Sequence, residues 1–181
     1  TPPVTAVNES WNGTSWTEVG DLNTARRFLA GTGTQPSAIA IGGDTDPTYV
    51  GVVETWNGSA WTEVADLNTT RRMAAAAGVD NTAALAIAGR TAPPAVVGNT
   101  ESWNGSAWTE VADLNNARER LGGAGTSTSA IGFAGYDGTT PGYATNSETW
   151  NGSAWTETSD LNTGRYAVAG GGVSNTSTIA F

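Results

Sequence analysis

The stretch WNGSAWTEVADLN occupies residues 56–68 and recurs unchanged at residues 103–115. Altered copies, WNGTSWTEVGDLN and WNGSAWTETSDLN, stand at residues 11–23 and 150–162. The leading tryptophans, Trp11, Trp56, Trp103 and Trp150, are spaced by 45, 47 and 47 residues. With Trp16, Trp61, Trp108 and Trp155 they account for all eight tryptophans of the chain. A fixed period of this length marks a solenoid, a propeller or an array.

Working outward from the second copy, one unit spans residues 71–117. It opens with the small, apolar run RRMAAAAGV (71–79), followed by a short polar turn at 80–82. AALAIAG (83–89) is an apolar run of strand length bounded by glycine. A Pro-rich variable segment, 90–99, leads to TESW, Asn104-Gly105 and SAWTEV. Asn-Gly between two β-favouring runs predicts a hairpin with a type I′ turn, which needs positive φ at both central residues. The unit closes on ADLN, whose Asp and Asn can bond their own backbone. Each unit therefore supplies four short strands, a to d. Four antiparallel strands every ~45 residues describe the blade of an all-β propeller. Strand a should line the axis, where only small side chains fit. Its residues are Leu29-Ala30-Gly31, 74–77, Gly122-Gly123-Ala124 and 169–172. The two tryptophans of each copy flank the hairpin turn and are expected to pack one blade against the next.

An Arg opens each strand a (Arg26, Arg71, Arg118, Arg165), and Gly42-Gly43, Ala88-Gly89 and Ala134-Gly135 close strand b. Together with an aromatic ending strand c and a Trp opening strand d, these positions resemble kelch repeats over essentially the whole chain. The turn is shorter and the double glycine incomplete, so the chain is kelch-like. The resemblance implies a propeller, usually of six or seven blades, acting most often as a binding scaffold and occasionally as an oxidase. The oxidase branch uses copper held by His and Tyr, and this chain has no His.

Residues 1–24 supply only strands c and d, and 165–181 only a and b. Between them lie full blades at 25–70, 71–117 and 118–164. Two halves and three wholes amount to four blades in a single domain, 1–181. Pairing the N-terminal c–d strands with the C-terminal a–b strands would close the ring and remove its open edge. The chain is then a self-closed monomer, or the half-blades join copies into a dimer or larger ring.

Composition narrows the function. Of 181 residues, 38% are hydrophobic and 14% charged, which suits a turn-rich β protein. A net charge of −9 argues against a phosphate-backbone partner, so no nucleic acid is expected. No apolar run approaches the ~20 residues of a membrane span. With neither Cys nor His, thiolate metal sites and the commonest general base are absent. No cofactor, metal or catalytic residue is expected.

Each strand-a Arg has an Asp in the preceding turn (Asp21, Asp66, Asp113, Asp160) and a Glu before the first Trp (Glu9, Glu54, Glu101, Glu148). Four guanidinium groups could grip a carboxylate ligand, as a sialidase-like glycosidase would. Repetition in every blade instead favours one structural Arg–carboxylate clamp per blade. The acidic tips 44–46 and 137–139 could offer oxygen ligands to Ca²⁺, but neither spacing matches a calcium loop. Asn-Gly-Ser/Thr at Asn12, Asn57, Asn104 and Asn151 reads as turn chemistry before it reads as a glycosylation acceptor.

A binding site belongs where the repeats disagree, in the b–c connections 44–51, 90–98 and 136–146. These emerge on the same face as the d–a connections. That face gathers Tyr49, Arg90, Tyr136 and Tyr143 near Arg27, Arg72 and Arg120, residue types that dominate interface hot spots. The expected function is recognition of a protein or glycan, with a purely structural or assembly role as the alternative. Near-identical repeats fit an extracellular or virion-associated protein of viral or bacterial origin.

Overall fold

The structure, a computed structural model, describes residues 3–139 and 142–181. Residues 140–141 of the 136–146 connection lie outside the described residues. The described chain is all-β, with sixteen strands in antiparallel sheets and no helix. Three four-stranded sheets run in chain order. The first is β3 (Ala30–Thr34), β4 (Ser37–Ile41), β5 (Val53–Trp56) and β6 (Trp61–Glu63). The second is β7 (Ala75–Asp80), β8 (Ala83–Thr91), β9 (Ala95–Trp103) and β10 (Trp108–Val111). The third is β11 (Gly122–Gly125), β12 (Ala130–Phe133), β13 (Ser147–Trp150) and β14 (Trp155–Thr158). Each is one a-b-c-d unit, and in each the two tryptophans face one another across the hairpin, as Trp103 does Trp108.

The ends differ from expectation. β1 (Asn8–Trp11) pairs with β2 (Trp16–Val19), and β15 (Gly170–Ser174) with β16 (Ser177–Ala180), as two separate two-stranded sheets. The composite blade that would close a four-bladed ring is not formed among the described residues. Within a complete blade, strands b and c are tied by their own connection; β16 and β1 have no such tie. Each end sheet is instead held by its sequence neighbour. β15 packs against β11, and the Gln35 side chain donates to the Trp11 carbonyl at 2.9 Å.

Strand a is the contact from blade to blade, with β3 against β7, β7 against β11 and β11 against β15. A Cβ added at Gly123 would lie 2.8 Å from the Ala76 carbonyl, and one at Gly170 would lie 2.8 Å from the Gly123 carbonyl. Backbones this close admit only Gly at these two positions, which accounts for the glycines of strand a.

The core lies between blades rather than within them. Ile39 and Ile41 of β4 pack in one cluster with Trp103 and Trp108 of the next blade. Leu85 and Ile87 of β8 do the same with Trp150 and Trp155. The first Trp also fixes the a–b turn of its own blade: Trp56, Trp103 and Trp150 donate their indole N–H to the carbonyls of Gln35, Asn81 and Ser127 at 2.9–3.0 Å.

Two local expectations are corrected. At each hairpin only the glycine has positive φ (Gly13, Gly58, Gly105 and Gly152, between 92° and 96°), while its Asn does not. A type I′ turn, which needs positive φ at both Asn and Gly, is therefore not formed. The Asn side chain earns its place as a cap: Asn57 Oδ1 accepts from the backbone N–H of Ser59 and Ala60 at 3.0 Å. The segment 90–98, expected as a loop, is largely strand. β8 and β9 continue pairing through Gly89–Val97 to Thr91–Ala95.

The incomplete double glycine also has an explanation. Gly42, Ala88 and Ala134 share the same left-handed backbone, near 60°, which Ala can adopt at some cost. A Cβ at the following Gly43, Gly89 or Gly135 would meet the carbonyl of Arg27, Arg72 or Glu119 at 2.8–2.9 Å. Only the second glycine is obligatory, and it is the one present in every full blade.

Candidate functional site

Each strand a begins with a triplet whose three side chains go three ways: Arg26-Arg27-Phe28, Arg71-Arg72-Met73, Arg118-Glu119-Arg120 and Arg165-Tyr166-Ala167. The first residue turns inward. Arg26, Arg71 and Arg118 are wholly buried and meet Glu54, Glu101 and Glu148 at 3.0, 2.6 and 2.9 Å. Each carboxylate also accepts from the d–a turn ahead of it: Glu101 takes the backbone N–H of Asn68 at 2.8 Å and of Thr69 at 3.1 Å. The guanidinium groups also donate to strand-b carbonyls, Arg26 to Gly42 at 3.0 Å and Arg71 to Ala86 at 3.1 Å. Burial pushes all three arginines below the ordinary guanidinium pKa, opposed by the charge of the paired Glu. The Glu before the first Trp is therefore the ion partner. The Asp of the turn serves elsewhere, as Asp113 does in accepting from the Thr100 N–H at 3.1 Å. Three of the four arginines are thus sequestered from any external anion. The fourth, Arg165, is exposed, as is Glu9.

The third residue of each triplet lies at the axis with positive φ: Phe28, Met73, Arg120 and Ala167, all between 54° and 56°. Their backbones link blade to blade. Met73 N–H donates to Phe28 at 2.9 Å, Arg120 to Met73 at 2.8 Å, and Ala167 to Arg120 at 2.9 Å. Together they ring a depression of about 190 Å³.

The second residue faces the variable connections, and there the seven residues expected at a binding face fall into two groups. In the first, Asp44 is buried between Arg27, at 2.7 Å, and Arg72, with which it also pairs. Arg27 further reaches Asp46 at 3.1 Å. The Arg72 guanidinium lies 4.3 Å from the Tyr49 ring centroid and 5.4 Å from that of Phe28. In the second group, buried Glu119 pairs with Arg90 at 3.1 Å and approaches Arg120 at 3.8 Å. Arg120 lies 5.6 Å from the Tyr166 ring, and Tyr143 stacks on Tyr166 with centroids 5.1 Å apart and planes 19° from parallel. Tyr136 completes the aromatic group at 6.4 Å from Tyr166. Tyr143 and Tyr166 are exposed, whereas Tyr49 and Tyr136 are half-buried.

The acidic tips are also accounted for. Asp44 and Asp46 face guanidinium groups, and Asp137 accepts from the Thr139 N–H and hydroxyl, both at 2.8 Å. Among the described residues no cluster of three or more acidic groups could hold a metal ion. Sequence reasoning missed Phe28, Glu119 and Tyr166, and read Asp44 only as part of an acidic tip. For Glu119 and Tyr166 a signal was available: beside the invariant Arg, the next position reads Arg, Arg, Glu, Tyr, changing chemistry from blade to blade.

No family model matches the sequence, and no curated protein matches it. Among solved structures the chain is similar to that described as the structure of YjhT, with a TM-score of 0.67 at 12% identity over 87% of this chain. The chain spans 62% of that chain's length. The likeness concerns the fold.

Proposed function

We propose that this chain is a non-catalytic, kelch-like propeller module, with four blades' worth of repeats, that binds a protein or glycan through the face of its b–c and d–a connections. The observation that carries this reading is the exposed Tyr143–Tyr166 stack, flanked by Tyr136 and the Arg120 guanidinium. Flat aromatic surface with adjacent donors suits the apolar face of a sugar ring or a protein side chain. Asp44 and Glu119 are already committed to arginines, and Arg26, Arg71 and Arg118 to glutamates, which supports binding over hydrolysis. The test is a glycan array and a panel of surface proteins, probed with the wild-type chain and with Tyr136→Ala/Tyr143→Ala. The double variant should lose the bound signal at unchanged melting temperature. Binding that survives it would move the site elsewhere. The second reading is a purely structural or assembly unit; there the double variant changes nothing.

A further inference from the structure

Neighbouring blades are joined by contacts that repeat. The d–a turn of one blade donates to the strand-c carboxylate of the next through Asn23 and Glu54, Asn68 and Glu101, and Asn115 and Glu148, at 2.8, 2.9 and 2.8 Å. In both core clusters the strand-b side chains lie on the Trp pair of the following blade. Residues 56–68 and 103–115 are identical. Contacts of this kind hold any blade against any other, and interchangeable segments invite swapping and misassembly.

One position differs at every junction. The second residue of strand a and the residue after the strand-b glycine form a two-way backbone pair within each blade. These are Arg27 with Asp44, Arg72 with Arg90, and Glu119 with Tyr136, all at 2.8–3.0 Å. The frame is the same three times over, so the side chains start from equivalent places. From there each strand-b residue reaches across to the second residue of the next blade. Asp44 pairs with Arg72, Arg90 with Glu119 at 3.1 Å, and the Tyr136 ring meets the Tyr166 ring at 6.4 Å. The three junctions are thus acid to base, base to acid, and aromatic to aromatic. Arg72 and Arg90 are backbone partners, yet their guanidinium groups part, one to each neighbouring blade. Asp44 and Glu119 are 1% and 2% exposed, so salt and solvent screen neither.

We infer that these pairs form an ordering code. They fix the succession of the blades, and with it the succession of the variable connections 44–51, 90–98 and 136–146 around the face. The code works by what it penalises as well as by what it joins. Number the full blades 25–70, 71–117 and 118–164 as 1 to 3. Blade 1 followed directly by blade 3 sets Asp44 against Glu119, two buried carboxylates. Blade 2 followed by another blade 2, as in an exchange between molecules, sets Arg90 against Arg72. Blade 3 followed by another blade 3 sets Glu119 against Tyr136 in place of Arg90. A buried charge left alone or against its like is among the costliest faults a junction can hold.

The test uses the 181-residue chain and exchanges the code at constant net charge. Arg72→Glu/Glu119→Arg gives blade 2 the sign of blade 3 and blade 3 that of blade 2, with like charges at both ionic junctions. Calorimetry should show a melting temperature lower by more than about 10 °C, or no folded state. Asp44→Arg/Arg90→Glu makes the same fault from the other side. All four substitutions together restore opposite charges, and that chain should melt above both double variants. A quadruple variant that does not, or an exchanged pair as stable as the wild type, would overturn the proposal. Order itself is read by refolding from urea at high protein concentration, followed by size-exclusion chromatography. The wild type should recover its starting size distribution. So should Glu101→Gln, which weakens only a repeated contact. Arg72→Gln/Glu119→Gln, which removes both signs, should give a several-fold larger share of swapped or aggregated species. Recovery equal to that of Glu101→Gln would mean that the pairs stabilise the junctions without ordering them, and the inference would fall.

Discussion

The clamp between Arg71 and Glu101 offers a measurement with an internal control. Glu101 is buried and accepts from Arg71 at 2.6 Å, from the Asn68 N–H and side chain at 2.8 and 2.9 Å, and from the Thr69 N–H at 3.1 Å. Glu101→Gln keeps the shape but removes the charge, leaving a buried guanidinium uncompensated and turning two NH₂ hydrogens toward donors. Breaking one side of a buried ion pair costs about 3–5 kcal/mol. A chain of this size loses about 2–4 °C of melting temperature per kcal/mol, so the expected drop is roughly 6–20 °C. Glu9→Gln makes the same chemical change at the same repeat position, but on an exposed and unclamped carboxylate. Its expected effect is within roughly 2 °C. Both are compared by calorimetry on the same chain. Equal shifts for the two substitutions would refute the claim that the Glu holds the blade through its buried partner.

Two further outcomes follow from local geometry. A Cβ at Gly78 would lie 2.7 Å from the Ala83 carbonyl and 3.1 Å from both Ala84 Cα and Thr32 Cγ2, so Gly78→Val should cost about 1–3 kcal/mol through overpacking. Gly171→Ala, where the nearest atom stands 3.8 Å away, should leave the melting temperature unchanged; equal losses would contradict the axial packing of strand a. Asp80 and Asp137 are held below the ordinary carboxylate pKa. For Asp80 the Thr82 hydroxyl leads and its N–H follows; for Asp137 the Thr139 N–H leads and its hydroxyl follows. The stabilisation is present above the ordinary carboxylate pKa and is lost as pH falls through the depressed folded values. Carboxyl chemical-shift titration should place both midpoints below those of other exposed aspartates, and Thr82→Ala should raise the Asp80 midpoint toward the ordinary range without reaching it, because the backbone N–H at 82 still donates.

The sequence by itself determined what depends on a few neighbouring residues. The repeat, the four strands per unit and the hairpin between paired tryptophans were legible because alternation and turn chemistry act over two to five residues. The small axial strand was legible because a strand against its own symmetry mate leaves no room for side chains. Recurrence of Arg71 in every unit pointed to a structural clamp. Which carboxylate it meets was decided in three dimensions: Asp66 of the preceding turn is 5 residues away and Glu101 is 30, and the distant one is the partner. The Asn-Gly pair did not make the expected type I′ turn, because the Asn57 side chain caps the Ser59 and Ala60 amides instead. Tertiary structure also extended β8 and β9 into a segment that Pro and Gly had marked as loop, and it divided the candidate face between Asp44 and Glu119. The open ring is the clearest case. Each blade-to-blade contact is encoded locally, but whether β16 reaches β1 depends on a rotation summed over every blade between them, which no single repeat carries.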